Sequence, residues 1–132
     1  MTLEEHFVIA FERSFDAQYG LEYVEPTRGR VTVTAKLLGG DGTVSSGVYA
    51  AIAESLASTG TAVEVVPEGL VPFGLNNSTQ VVGEVRGGVL EGVARCRARG
   101  QHEWLWDVEI GPPGGSPSAV ATVAIAVRQQ SV

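Results

Sequence analysis

Glu54 is the only charged side chain between Asp41 and Glu64, and no lysine or arginine stands three or four residues from it. The ordinary reading of a lone glutamate on a helix is a solvated residue. Here the usual basic companions at helical spacing are missing. Its neighbours on a helical wheel are small: Gly47 before it, Ala50 and Ala57 to one side, Ser58 and Thr61 after it. Such a lane leaves space beside the carboxylate for a ligand or for the backbone of a neighbouring subunit. Upstream, Ser45, Ser46 and Gly47 occupy the start of the same helix, where backbone amides lack partners and carry the positive end of the helix dipole. Those amides can polarise a carbonyl and hold the oxyanion that develops on attack. Gly47 lets a substrate approach the backbone closely. A carboxylate reaching the same carbonyl could attack it, passing through an anhydride, or act as general base on a water. A thioester suits this chemistry, because a thiolate leaves without a strong acid to protonate it.

The helix carrying these residues is the longest element the pattern predicts. After Gly47 there is no glycine until Gly60 and no proline until Pro67, and Val48, Ile52, Leu56 and Val63 fall on one side. Ser45 or Ser46 can cap it, and Val65, Pro67 and Gly69 mark its exit. A shorter first helix is predicted before Gly20, from the Thr2/Glu5 capping-box spacing and the stripe of Leu3, Phe7, Phe11 and Phe15. Alternation over Val31, Val33, Ala35 and Leu37 predicts a strand, closed by the glycine-rich loop from Leu38 to Thr43. The second half reads as strands: Leu75 to Val82, a hairpin of Leu90 to Ala98 with Trp104 to Ile110, and Ser118 to Arg128.

In that hairpin Arg95, Arg97 and Arg99 share a face with Glu103, Asp107 and Glu109. They are expected to point away from the central helix and form cross-strand ion pairs. Trp104 and Trp106 share the opposite phase with Val108 and Ile110, so both are expected in the core.

At 132 residues, with 44% hydrophobic and 18% charged, the chain is expected to form one α+β domain over residues 1–132. Its seventeen glycines and six prolines lie in short clusters between apolar runs and read as turns. A net charge of -6 argues against a sequence-independent nucleic-acid binder, so an anionic ligand must meet a local basic patch. Cys96 is the only cysteine, which excludes an intramolecular disulfide, and with His6 and His102 it falls short of a zinc cage. No metal is expected. The start MTLEEHF carries two acids and no basic run, and no window is apolar enough to span a bilayer, so a cytoplasmic protein with no membrane partner is expected.

The stretch SSGVYAAIAE, with LNNST, WLWDVEI and SAVATVAIAVR, resembles the hotdog-fold acyl-CoA thioesterases. The likeness covers roughly residues 20 to 130 and is most specific from Gly47 to Glu54, in the tryptophan hairpin and in the closing IAVR. It is nearest to the 4-hydroxybenzoyl-CoA (PaaI-like) branch, in which a glutamate on the central helix is catalytic. The resemblance implies a helix wrapped by an antiparallel sheet, dimers with joined sheets, pairing into tetramers, and active sites at the dimer interface. It implies hydrolysis of an aryl- or small-acyl-CoA, with coenzyme A as part of the substrate and no separate cofactor.

Carried over by position, Glu54 falls on the catalytic carboxylate, Ser46 beside Gly47 on the amide that polarises the thioester carbonyl, and Ser58 on a hydroxyl near the attacking water. Asn77 falls on a polar strand residue near the acyl or pantetheine portion, and Arg128 on a candidate for a CoA phosphate. The family's H-G-G start is Ser45-Ser46-Gly47 here, and Gly39 stands where a loop Gln or Asn is common, with Asp41 the nearest polar residue. These departures motivate an alternative, a hotdog protein that binds an acyl-CoA or acyl-carrier ligand without hydrolysing it. A hotdog hydratase would need a histidine near the helix start, and neither His6 nor His102 is so placed.

Overall fold

The computed structural model describes residues 10–130. The expected first helix is interrupted in the part that can be seen. Ser14 Oγ donates to the carbonyl of Phe11 at 2.6 Å and accepts from the amide of Ala17 at 3.2 Å, ending a single 3₁₀ turn, Phe11–Arg13, and capping a separate helical turn, α1, Phe15–Gln18. Phe15 is 71% exposed, so no continuous apolar stripe runs through it. Leu3, Phe7 and the Thr2/Glu5 pair lie outside the described residues.

The strand expected from Val31 to Leu37 is also corrected. β1, Leu21–Glu25, which the alternation did not reveal, forms a hairpin with β2, Arg28–Thr32. Ala35–Leu37 is a 3₁₀ turn with Leu37 buried. Ladder pairing of β2 with β4 stops at Thr32↔Val89, and the Val33 amide bonds to the carbonyl of Gly88 as the chain turns toward the long helix. Period-two patterning cannot report where the neighbouring strand ends.

The long helix is α2, Ser46–Val65, with Ser45 as its N-cap. Tyr49, Ile52, Ala53, Leu56 and Ala57 are buried on its sheet side. It packs on an antiparallel sheet completed by β3 (Leu70–Val81), β4 (Val89–Arg99), β5 (Glu103–Gly111) and β6 (Ala119–Gln129), in the order β1-β2-β4-β5-β6-β3. β3 begins at Leu70 rather than Leu75 and contains Pro72, which an edge strand tolerates because one side of its ladder is unpaired. The tryptophans lie in the core as expected, and Trp106 Nε1 donates to Thr61 Oγ1 on α2 at 2.9 Å.

Three β-bulges or register shifts interrupt the ladders, between Tyr23 and Glu25 in β1, between Gly74 and Asn76 in β3 and between Cys96 and Ala98 in β4. The bulge in β4 changes the expected fate of the arginines. Arg97 is exposed and forms a two-pronged ion pair with Asp107, Nε to Oδ2 at 2.9 Å. Past the bulge the facing of β4 is reversed, so Arg99 stands opposite Trp104, lies over its ring at 4.5 Å and reaches Glu64 of α2 at 2.8 Å. Arg99 therefore points toward the helix, contrary to the expectation from simple alternation.

Candidate active site

Glu54 sits half-buried in the middle of α2 with its carboxylate against β3. An ideal Cβ built on Gly74 would lie 2.1 Å from Glu54 Oε2, so the carboxylate occupies the space a side chain would take. Asn77 Nδ2 donates to the Ala50 carbonyl at 3.0 Å and to Glu54 Oε1 at 3.4 Å, and Thr79 Oγ1 donates to Asn77 Oδ1 at 2.6 Å. Among the described residues no cation pairs with Glu54. The bulge at Leu75 makes this grouping possible. Gly74 pairs with Ile125 and Asn77 with Val123, two inward residues of β6, so both face the helix although three positions apart. In a regular strand they would face opposite sides.

At the other end of the lane Ser45, Ser46 and Gly47 are exposed, and the side chain of Ser45 makes no capping hydrogen bond. The first amides of α2 thus face solvent in a single chain, and among the described residues nothing but Ser45 Oγ, at 3.9 Å, approaches the Cβ position of Gly47. Eight residues separate Ser46 from Glu54, about 12 Å along the helix axis. The preceding loop is held by its own bonds. Asp41 Oδ1 accepts from the amide of Thr43 at 2.9 Å and from its hydroxyl at 2.7 Å, which, with nearby Arg86, holds the carboxyl below its ordinary range. Arg86 Nη1 donates to the Asp41 carbonyl at 2.9 Å. Gly39 uses its amide on the Thr43 carbonyl and offers no side chain.

Ser58 lies half-buried on the lane, one turn beyond Glu54. The lane is shorter than the wheel indicates: Ala57 and Thr61 are both fully buried, and Thr61 seals the end by accepting a hydrogen bond from the Trp106 indole N–H. Arg128 is not brought to Glu54 in a single chain. It alternates with Ile125 and Val127 to the sheet face away from α2, where Nη1 reaches the carbonyl of His102 at 3.4 Å.

Beside the lane a polar network fastens the N-terminal turn to the helix. Ser55 Oγ donates to Asp16 Oδ1 at 2.6 Å, Tyr19 Oη donates to the same oxygen at 3.0 Å, and Tyr23 Oη meets Thr59 Oγ1 at 2.8 Å. Burial pushes both phenols well above their ordinary range, so they remain protonated donors. Sequence reasoning missed Gly74 and Thr79. Their signal was present, in a glycine inside an apolar strand followed by LNNST, but only the bulge register shows that Gly74 abuts Glu54 and that Thr79 bonds its neighbour Asn77.

The chain is 35% identical over 102 residues to a Mycobacterium tuberculosis (strain H37Rv) protein named "Putative esterase Rv1847", covering 73% of each chain. The solved structure of that protein superposes with a TM-score of 0.84 at 32% identity, covering 89% of this chain and 98% of the other. The chain belongs to the hotdog-fold esterase and thioesterase family. Membership places it among the hydrolases. More distant hotdog structures share the fold: a variant of thioesterase PA1618 from Pseudomonas aeruginosa has a TM-score of 0.83 at 23% identity, covering 90% of this chain and 88% of that one. The Bacillus halodurans protein BH2602, solved with CoA, has a TM-score of 0.77 at 15% identity, covering 85% and 74%. No protein-family model matches the sequence. In hotdog terms, α2 is the central helix and β3 a free edge of the wrapping sheet.

Proposed function

We propose that this hotdog protein hydrolyses acyl-CoA thioesters in the cytoplasm, with aryl- or small-acyl preference and Glu54 as the reacting carboxylate, in the manner of the 4-hydroxybenzoyl-CoA (PaaI-like) branch. One observation carries the reading: Glu54 is held half-buried in a lane of small residues with no cation paired to it among the described residues, while Glu64 on the same helix is paired with Arg99. An uncompensated carboxylate is available as nucleophile or base.

The amides of Ser46 and Gly47 polarise the thioester carbonyl. Either Glu54 attacks the carbonyl carbon, expelling the CoA thiolate and leaving an anhydride that water opens, or it takes a proton from the water that attacks directly. Both routes consume one water and yield the free acid and CoA thiol. Ser58 orients the water, Asn77 lies beside the acyl or pantetheine portion, and Asp41, Ser45 and Arg128 bind the remainder of the substrate. The separation of about 12 Å between Ser46 and Glu54, with the carboxylate turned toward β3, favours a site shared between two copies. The exposed Phe73 and Leu75 on edge strand β3 favour a homodimer with joined sheets, which can pair into a homotetramer.

Thiol release across aryl-, short- and medium-chain acyl-CoAs tests the reading. Hydrolysis of at least one supports it, and Ser58→Ala should then reduce turnover less than loss of the Glu54 charge. Binding of a nonhydrolysable analogue without cleavage of any member would instead make this an acyl-CoA binding protein.

A further inference from the structure

Resting on the assignment of Glu54 as the reacting carboxylate, we propose that Thr79 is a positioning residue that sets the carboxylate through Asn77. The side-chain amide of Asn77 has two possible orientations related by a half-turn, and they are opposite in sign toward Glu54. With Nδ2 toward the helix, the amide donates to the Ala50 carbonyl and to Glu54 Oε1. Turned over, it would set a carbonyl oxygen against both of those acceptors. A backbone carbonyl has no proton to donate and an ionised carboxylate has none either, so both contacts would be lost.

Thr79 adds the constraint from the strand. Its hydroxyl donates to Asn77 Oδ1 at 2.6 Å, which gives the oxygen end its own partner and keeps the NH₂ end toward Glu54. The two residues are inward neighbours on β3, opposite Val123 and Ala121, and they reach the helix face in phase with Gly74 only because Leu75 is bulged out of the ladder. Gly74 sets the depth of the carboxylate and the Asn77 amide sets its rotation. Thr79 selects which end of that amide the carboxylate meets. An arrangement in which strand register, an empty Cβ position and a hydroxyl all converge on one carboxylate holds the acceptor ready before substrate arrives.

The experiment compares Thr79→Val, which keeps the shape and loses the hydroxyl, with Thr79→Ser, which keeps the hydroxyl, on the acyl-CoA that the wild type cleaves fastest. Thr79→Val is expected to lower kcat by about tenfold or more with KM changed by less than about threefold, because a misaligned reacting group costs rate more than binding. Thr79→Ser should restore most of that kcat. Asn77→Asp, which sets a second carboxylate beside Glu54, should move the acid limb of the kcat profile to higher pH, since a like charge disfavours ionisation of its neighbour. Wild-type kcat in Thr79→Val, an equal loss in Thr79→Val and Thr79→Ser, or an unmoved acid limb in Asn77→Asp overturns the positioning role. Glu54→Gln is run in parallel: an inactive Glu54→Gln beside an active Thr79→Val sinks the role of Thr79 alone. An active Glu54→Gln, or a wild type that cleaves no thioester, sinks both readings.

Discussion

β3 and β4 each carry one bulge, and each bulge turns a side chain onto a glutamate of the same helix, with opposite consequences. In β4 the bulge delivers Arg99 to Glu64 at 2.8 Å, on side chains that are 55% and 44% exposed, and Trp104 beneath the guanidinium completes a cation-bearing clamp. In β3 the bulge delivers a neutral amide, Asn77, to Glu54 at 3.4 Å, and an unfilled Cβ position at Gly74 receives the carboxylate. The first glutamate is neutralised and ties the hairpin to the helix. The second meets, among the described residues, one long hydrogen bond from a neutral amide and no cation. The same backbone device thus serves architecture at one end of α2 and, under the proposed function, reactivity in its middle, and the residue delivered decides which.

The largest effect should come from removing each charge in turn. Glu54→Gln should lower turnover by at least about 10² with little change in substrate binding, whereas Glu64→Gln should leave turnover within a few-fold and lower the melting temperature slightly, an exposed pair contributing about 0.2–1 kcal/mol. Equal losses of activity would erase the distinction between the two sites. Steady-state thiol release with thermal melts of both variants decides it.

A glycine near each glutamate sharpens the contrast. Gly74→Ala puts a methyl group 2.1 Å from Glu54 Oε2, so the carboxylate must move. Its kcat should fall by about tenfold to a hundredfold while the fold persists. Gly60→Ala puts a methyl group 2.7 Å from Trp106 Cη2 and 2.8 Å from Thr27 Cγ2, against the tryptophan layer rather than a movable carboxylate. That variant should lose about 1–3 kcal/mol of stability by denaturant unfolding, with turnover per folded molecule retained.

The smallest effect belongs to the loop before the helix. The hydrogen bonds from Thr43 hold the Asp41 carboxyl below its ordinary value of 3.8. A depressed folded-state value stabilises the protein above the unfolded value, and the contribution disappears as pH falls through the folded one. Asp41→Asn should therefore melt slightly below wild type at neutral pH, and the gap should close as the pH is lowered beneath 3.8. A gap that widens on acidification would contradict the assigned bonds.

Much of this is legible in the sequence alone. α2 was readable because a long run without glycine or proline carries apolar residues at one periodicity, with Ser45 or Ser46 to mark its start and Val65, Pro67 and Gly69 its exit. The tryptophan hairpin followed from strict alternation. Glu54 stood out because it lacks basic companions at helical spacing. The break of the first helix at Ser14 is local, but three other errors share one cause. Val31 to Leu37 alternates beyond the point where its partner strand ends, the alternation of Arg99 is reset by an extra residue upstream, and Thr61 looks like part of the open lane until Trp106 claims its hydroxyl. In each case the deciding contact is remote in sequence.

What the sequence by itself determined is the composition of each local surface: the apolar side of α2, the small-residue lane, the unaccompanied carboxylate and the amide-bearing helix start. Those depend on residues within about two turns or one hairpin of each other, and helical and strand periodicities report them directly. Only the tertiary structure decided which partner each glutamate received. That choice rests on ladder register between β3 and β6 and between β4 and β5, where one extra residue turns the following side chains to the other face. Nothing local to Leu75 or Arg97 encodes that slip; it is set where the strands meet.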